Sequence, residues 1–430
     1  MNRLPRTLKL RAGLAVAAAT ACVLGLAGPA AQATRIVPWR TVEVLSPAGG
    51  GYGELLSVAC PRAGACEAAG SYYIAKPGGL QPMISAEGKH GWSRAVLVRL
   101  PSNAMGEGQN TLLASIACPS AKSCVAVGYY TWGTNTLDGL ITMGHGTTWS
   151  KGRTPALPIG VAAMAGAALS GVSCPKAGDC VAVGGYGLST GDAGQAMAET
   201  MSRGRWQRAV TIRPPANAFA RPAAYLSSVS CTAVGQCLAV GHYTEKSGAV
   251  VAMAALESKG KWGRAAEVGL PRGAAASPEA EMVSVSCVRS VCEAAGNYIA
   301  RSGQSASFVT EETRGRWHAT VQITSLPTGA RKSAPMGQLF GISCLPNACL
   351  AVGDYENQVG AQVPMAVLGF GSMWQRAKST GLPKHALPGS AQSARLWAVN
   401  CDARDLYCTA VGDYDPATGT SQAMAAAGGM

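Results

Sequence analysis

An all-β fold, seven four-stranded antiparallel sheets closed into a β-propeller, is what this 430-residue sequence predicts. Three observations carry the prediction. A pair of cysteines, a tryptophan and a tyrosine recur seven times with a period of about 57 residues. Each period divides into four short apolar runs bounded by Gly, Ser, Asn and Lys turns. The first and last units are complementary fragments of one unit. Composition agrees: 48% hydrophobic against 14% charged residues excludes a disordered chain, and 54 Gly with 24 Pro suits turns and strands better than helix bundles.

The elements follow in chain order. Arg3, Arg6, Lys9 and Arg11 precede an Ala/Leu/Val-rich stretch over 12–27, and Ala31-Gln32-Ala33 supplies a small-x-small site. This predicts a signal peptide over 1–33, export, and a single propeller domain over 34–430. No later run is long and apolar enough to span a bilayer, so no membrane span is expected in the mature chain. Residues 39–45, starting at Trp39, read as an outermost strand D with no preceding strands A, B and C. The repeats then run A, B, C, D; in the fourth they cover 226–231, 237–243, 249–256 and 262–270. The final unit supplies A, B and C (396–401, 408–414, 422–427) and stops without a tryptophan strand. The opening strand therefore completes the last sheet, which requires first and last units to be neighbours and the array to be closed.

Cys22 falls within the signal peptide, and fourteen cysteines remain. They pair locally across each A–B hairpin: Cys60 with Cys66, Cys118 with Cys124, Cys174 with Cys180, Cys231 with Cys237, Cys287 with Cys292, Cys344 with Cys349 and Cys401 with Cys408. Facing hairpin positions put the Cα atoms about 5.5 Å apart, within disulfide range. Each staple closes so short a loop that chain entropy gives only roughly 2.4 kcal/mol. The five histidines do not accompany the pairs, so zinc is not expected.

The Gly-rich turn before each tryptophan resembles a degenerate Asp-box, the C–D hairpin of sialidase-like (BNR) propellers. Thr142-Met-Gly-His-Gly-Thr-Thr-Trp149 keeps Gly146, Thr148 and Trp149 of that pattern, with Gly144 where its Asp belongs. Arg203-Gly-Arg-Trp206 and Arg314-Gly-Arg-Trp317 keep Gly and Trp. The whole repeat, Ser-Cys-Pro-x4-Cys-Val-Ala-Val-Gly-x-Tyr, is similar to exported actinobacterial repeat proteins of unassigned function. The resemblance implies a propeller. It does not imply sialidase activity, because Asp-boxes are structural and the sequence shows no ordered Arg-triad, Tyr/Glu and Asp constellation.

Function is less legible. Unit lengths are nearly equal, whereas propeller enzymes build sites from unequal insertions on a rigid scaffold. The longest departures are the B–C loops over 73–80 and 132–138. No nucleophile-elbow, zincin or Walker motif is present. Position x of Gly-x-Tyr varies on a constant frame: Ser71, Tyr129, Gly185, His242, Asn297, Asp354 and Asp413. With B–C and D–A loops on one face, varied polar tips are what a recognition face requires, and Tyr129, His242, Asn297, Asp354 and Asp413 are the candidate ligand-binding residues. The opposing reading packs the tyrosine between blades and leaves x solvated. Asp354, Glu356, Asp413 and Asp415 fall in adjacent B–C loops, where they would hold Ca²⁺, form an acid/base pair, or simply be solvated. Lys89, Lys151, Arg153, Arg203, Arg205, Arg208, Lys259, Lys261, Arg264, Arg314, Arg316, Arg376 and Lys378 form a basic perimeter on strands D, suited to edge protection or to anionic polymers. The expectation is an exported, non-catalytic binding module, monomeric and without metal or cofactor, whose partners are cell-envelope glycan, anionic wall polymer or protein, not nucleic acid. The alternative is a carbohydrate-active hydrolase or lyase with its site at the mouth of the central channel.

Overall fold

The computed structural model describes residues 38–429 except 48–49, 77, 134–135, 163–164, 188–193 and 334–335. The expected signal peptide lies outside the described residues. Seven antiparallel sheets follow one another along the chain, each ordered A–B–C–D, and no α-helix occurs among the described residues. In the fourth blade A is Tyr225–Ala233, B is Gln236–Thr244, C is Val250–Ser258, and D comprises Lys261–Trp262 and Ala266–Glu267. The seventh blade takes A from Ala394–Asp402, B from Tyr407–Tyr414 and C from Gln422–Gly429. Its D is Arg40–Glu43, with Arg40 opposite Ala427 and Glu43 opposite Met424. Each strand A touches the strand A of both neighbouring blades, including the last with the first, so A is innermost and the ring is closed.

The core is divided among the blade interfaces. Among the described residues seven buried clusters occur, each made by the facing sides of two successive blades. The cluster joining the last blade to the first holds Val44, Leu55, Val58, Tyr72, Val411 and Ala425. Each interface receives the tyrosine of one Gly-x-Tyr; five of the seven rings are completely buried, and Tyr243 donates its hydroxyl proton to Asn217 at 2.9 Å. Alternation along a strand sends x to the opposite side.

One irregularity is repeated seven times. Strand A carries a β-bulge just after its buried Leu or Met, at Leu56, Ala114, Ser170, Ser227, Val283, Phe340 and Trp397. Downstream of the bulge, serines reach the next blade's strand A. The backbone N–H groups of Ile116, Val172, Val285 and Ile342 donate to Ser57, Ser115, Ser228 and Ser284 at 3.1–3.2 Å. Those of Cys231, Cys287, Cys344 and Cys401 donate to Ser173, Ser230, Ser286 and Ser343, and Cys60 N–H closes the circle on Asn400 Oδ1 at 3.1 Å. Strand A has no same-sheet partner on its inner side, so these bonds satisfy donors that would otherwise face the channel.

All seven disulfides form as expected, the usage of a chain that folds in an oxidising compartment. Their Cα–Cα separations are 4.0–4.1 Å rather than about 5.5 Å, because the cysteines occupy the closer, non-hydrogen-bonded type of facing position. Strand D departs from expectation. In five blades it is two short pieces, not one run, and in four of these the chain between them turns a backbone N–H outward: Ala95, Ala209, Ala265 and Ala377 donate to carbonyls of the preceding blade. The loops expected over 73–80 and 132–138 are about half strand, since pairing continues to Ile74 and Trp132 and resumes at Gly79 and Thr136.

Candidate functional site

The start of strand A and the end of strand B meet at one mouth of the channel, where the x positions lie in strand rather than at loop tips. Each x is paired directly with the residue six before the first cysteine. The seven pairs are Glu54–Ser71, Leu112–Tyr129, Ala168–Gly185, Tyr225–His242, Glu281–Asn297, Gln338–Asp354 and Arg395–Asp413. The expectation that x is solvated fails: Ser71, Asn297, Asp354 and Asp413 are buried, because x faces the following blade.

Two different halves result. Blades two to four are largely apolar and aromatic. Tyr225 stacks on His242 with ring centroids 6.1 Å apart and covers Gly185, where a Cβ would lie 2.6 Å from the ring. Burial pushes the Tyr225 hydroxyl up to about 12, raises Tyr129 and lowers His242. Glu281, raised by burial, lies 4.0 Å from His242 Nδ1, so both groups are driven toward neutrality.

Blades six, seven and one form the charged half. Arg395 Nε is 3.8 Å from Asp354 Oδ2, its guanidinium lies 5.1 Å over the Trp397 ring, and its Nη2 donates to Gln362 Oε1 at 3.1 Å. The Trp397 indole N–H donates to Asp413 Oδ1 at 2.6 Å, and its ring packs on Phe340 at 4.6 Å. Glu54 accepts from Ser71 at 2.9 Å and from Tyr52 at 2.5 Å. Burial raises Asp354 to about 6, against the opposing pull of Arg395. It raises Asp413 to about 7, with the Trp397 hydrogen bond opposing and Glu54 adding to the rise. A carboxyl with a pKa near neutrality can donate a proton or accept one at physiological pH.

The five candidate residues have different fates. Asn297 is a structural clamp: its amide bonds both N–H and C=O of Leu339 in the next blade, and its Oδ1 also accepts from Ser307. Tyr129, His242, Asp354 and Asp413 stand around the mouth. The acidic quartet of blades six and seven does not converge. Asp354, Glu356 and Asp413 lie in strands; Glu356 pairs with Arg331 and Asp415 accepts from Ser421. No group of three metal-ligating side chains occurs among the described residues. The sequence reading missed Tyr52, Glu54, Tyr225, Arg395 and Trp397. For Glu54, Tyr225 and Arg395 the signal is positional, six residues before the first cysteine and shared by residues of no common type; Tyr52 and Trp397 lie two residues to either side of that position.

The basic perimeter is partly committed to the fold. Arg208, Arg264 and Arg376, each two residues after a tryptophan, donate to carbonyls of the preceding blade at 2.8–2.9 Å, as Arg94 outside that set does at 2.7 Å, and Arg153 pairs with Glu199 at 2.7 Å.

No protein-family model matches this sequence, and no curated protein does. Solved structures do match. A protein of unknown function from Dyadobacter fermentans aligns with a TM-score of 0.50 and 11% identity over 91% of this chain and 99% of its own. The phage phi92 endosialidase aligns with a TM-score of 0.49 and 8% identity over 91% of this chain and 69% of its own. The Trypanosoma rangeli sialidase aligns with a TM-score of 0.46 and 10% identity over 77% and 57%. What the Dyadobacter fermentans protein shares with this chain is the fold.

Proposed function

We propose that this protein is an exported, glycan-binding propeller whose ligand seats at the channel mouth lined by the seven cross-strand pairs. The observation behind this reading is the division of that mouth into an aromatic half (Tyr129, Tyr225, His242) and a half of hydrogen-bonding groups (Tyr52, Glu54, Asp354, Arg395, Asp413). A sugar ring has the same division: apolar C–H faces that pack on aromatic rings and an edge of hydroxyls that both donate and accept. Ligand sites commonly join an apolar wall to a few placed polar groups in this way.

The test is a glycan-array screen of residues 34–430, followed by titration of any hit against Tyr225→Ala. Loss of a packed aromatic wall is expected to weaken binding at least tenfold with melting temperature changed by only a few degrees. An array without hits, or a hit indifferent to Tyr225→Ala, would remove the reading. A hydrolase at the same mouth is the second reading, favoured by Asp354 and Asp413, which titrate near 6 and 7. Product release from a hit glycan, abolished in Asp413→Asn, would place it first.

A further inference from the structure

Off the channel axis, between blades six and seven on the same face, lies a cavity of about 590 Å³, within the range of small-molecule sites. It is lined by the D–A loop residues Arg331 and Ser390–Ser393, by Gln338 and Asp354 at its inner wall, and by Glu356 and Gln362. Most polar groups there are engaged. Gln338 Nε2 donates to Ser305 at 3.0 Å, Gln392 Nε2 to the Ser393 carbonyl at 3.0 Å, and Ser393 Oγ to Gln362 Oε1 at 3.1 Å.

Two buried atoms of this wall, Asp354 Oδ2 and Gln392 Oε1, are left without hydrogen-bond partners, and so is the Nε of Arg395, the neighbour of Asp354. The carboxyl is 94% buried, and its orphan oxygen stands 3.8 Å from the orphan guanidinium nitrogen. That gap is too long for a hydrogen bond. It is the spacing that one hydroxyl group spans, donating to the carboxylate and accepting from the N–H at about 2.8 Å each. A second hydroxyl donating to Gln392 Oε1 would satisfy the remaining atom. Unmet buried polar atoms are costly, so a ligand that supplies these groups gains from their satisfaction.

Charge narrows the ligand further. Asp354 stands against Arg395, which adjoins the lining, and Glu356 against Arg331, two opposed pairs that together are formally neutral. A carboxylated or phosphorylated sugar would meet two carboxylates, and an amino sugar two guanidinium groups. We infer that this cavity is a subsite for a neutral, polyhydroxylated sugar unit, held by a hydroxyl bridging Asp354 and Arg395. The inference rests on the glycan-binding reading and specifies the ligand class and the place.

The experiment screens the mature chain against neutral glucan, galactan, mannan and xylan oligosaccharides, chitosan oligomers, and sialylated and uronic-acid oligosaccharides. Hits are titrated in wild type, Ser390→Trp, Asp354→Asn and Lys246→Ala, the last an exposed turn residue of the fourth blade. Ser390 is exposed on the loop at the cavity's rim, so tryptophan there fills the cavity without touching the sheets. The expected result is a neutral oligosaccharide whose Kd changes less than twofold between 50 and 500 mM salt, as uncharged recognition requires. Its affinity falls at least tenfold in Ser390→Trp and in Asp354→Asn and is preserved in Lys246→Ala. Hits confined to acidic or amino oligosaccharides, or a neutral hit insensitive to Ser390→Trp, would overturn the subsite while leaving glycan binding in place. No hit of any class would overturn both.

Discussion

Gly241 lies under the backbone of strand A, and a Cβ built on it would sit 1.9 Å from the carbonyl oxygen of Tyr225. The same holds for the other Gly-x-Tyr glycines, at 1.8–2.5 Å from the carbonyl of the residue that pairs with x. The bulge one or two residues later draws strand A toward strand B, and only a residue without a side chain leaves room. The obstacle is main chain on both sides, so rotamer changes give no relief. Gly241→Ala is expected to cost about 3 kcal/mol or more, at the upper end of overpacking effects. Gly269→Ala, with nothing within 4 Å of the added carbon, should change stability by less than about 0.5 kcal/mol. Thermal melting of the pair checks the difference; equal melting temperatures would show that the bulge yields. The motif therefore marks two things at once, a packing constraint at Gly and Tyr and, between them, the only member free to vary.

At the scale of the blade, several side chains act as cross-ties, and one of them titrates. Glu293 follows the second cysteine in strand Val291–Ile299 and accepts the backbone N–H of Gly371, in the next blade's C–D turn, at 2.6 Å. Its other oxygen is buried without a partner. Burial raises its pKa to about 7; the Gly371 bond opposes this, and the neighbouring Glu311 carboxylate adds to it. An unfolded glutamate titrates at about 4.3, so the folded state holds the proton more tightly. The sign follows: stability from this group is complete below about pH 4.3 and is lost as pH rises through about 7. Glu293→Gln should flatten that decline, so the melting-temperature gap between wild type and variant should widen from pH 5 to about pH 7 and then level off, to the variant's advantage. A gap constant with pH would mean that Glu293 is ionised throughout.

The cross-ties also show where the sequence was readable. Disulfide partners, blade number and strand order were legible because each follows from spacing within one repeat. Position x was misplaced into loops because Gly-x-Tyr stands beside turn residues, while pairing in fact continues to the residue after Tyr, as in Gln236–Thr244. The mouth itself was half legible. Its strand B members share a motif, whereas Tyr52, Glu54 and Arg395 are tied to them only by the register of strand A, which the bulge shifts by one.

The whole molecule depends on a joint that the chain does not make covalently. Val44, just past the strand Arg40–Glu43, is 1% exposed and belongs to the core between the last blade and the first. Its N–H continues the pairing by donating to the Ala423 carbonyl at 2.9 Å. Val268, after the outer strand of the fourth blade, is equally buried in an interface between sequential blades. An aspartate at either place buries a charge without a partner, which costs more than about 3 kcal/mol. The two variants separate a ring from an open array. In an array, opening the joint at Val44 would only fray terminal blades, as nearest-neighbour energetics dictates, and a leading low-temperature transition would precede an unchanged main one. In a ring every blade has two neighbours, so loss of any joint exposes two interfaces of the same cooperative unit. Val44→Asp and Val268→Asp should therefore lower a single transition by similar amounts, read by calorimetry together with the melting of tryptophan fluorescence. A Val44→Asp protein whose main transition stays at the wild-type temperature would show that closure contributes no stability, and that the bonds from Cys60 to Asn400 and from Arg40–Glu43 to the last sheet join two ends that the remaining blades do not need.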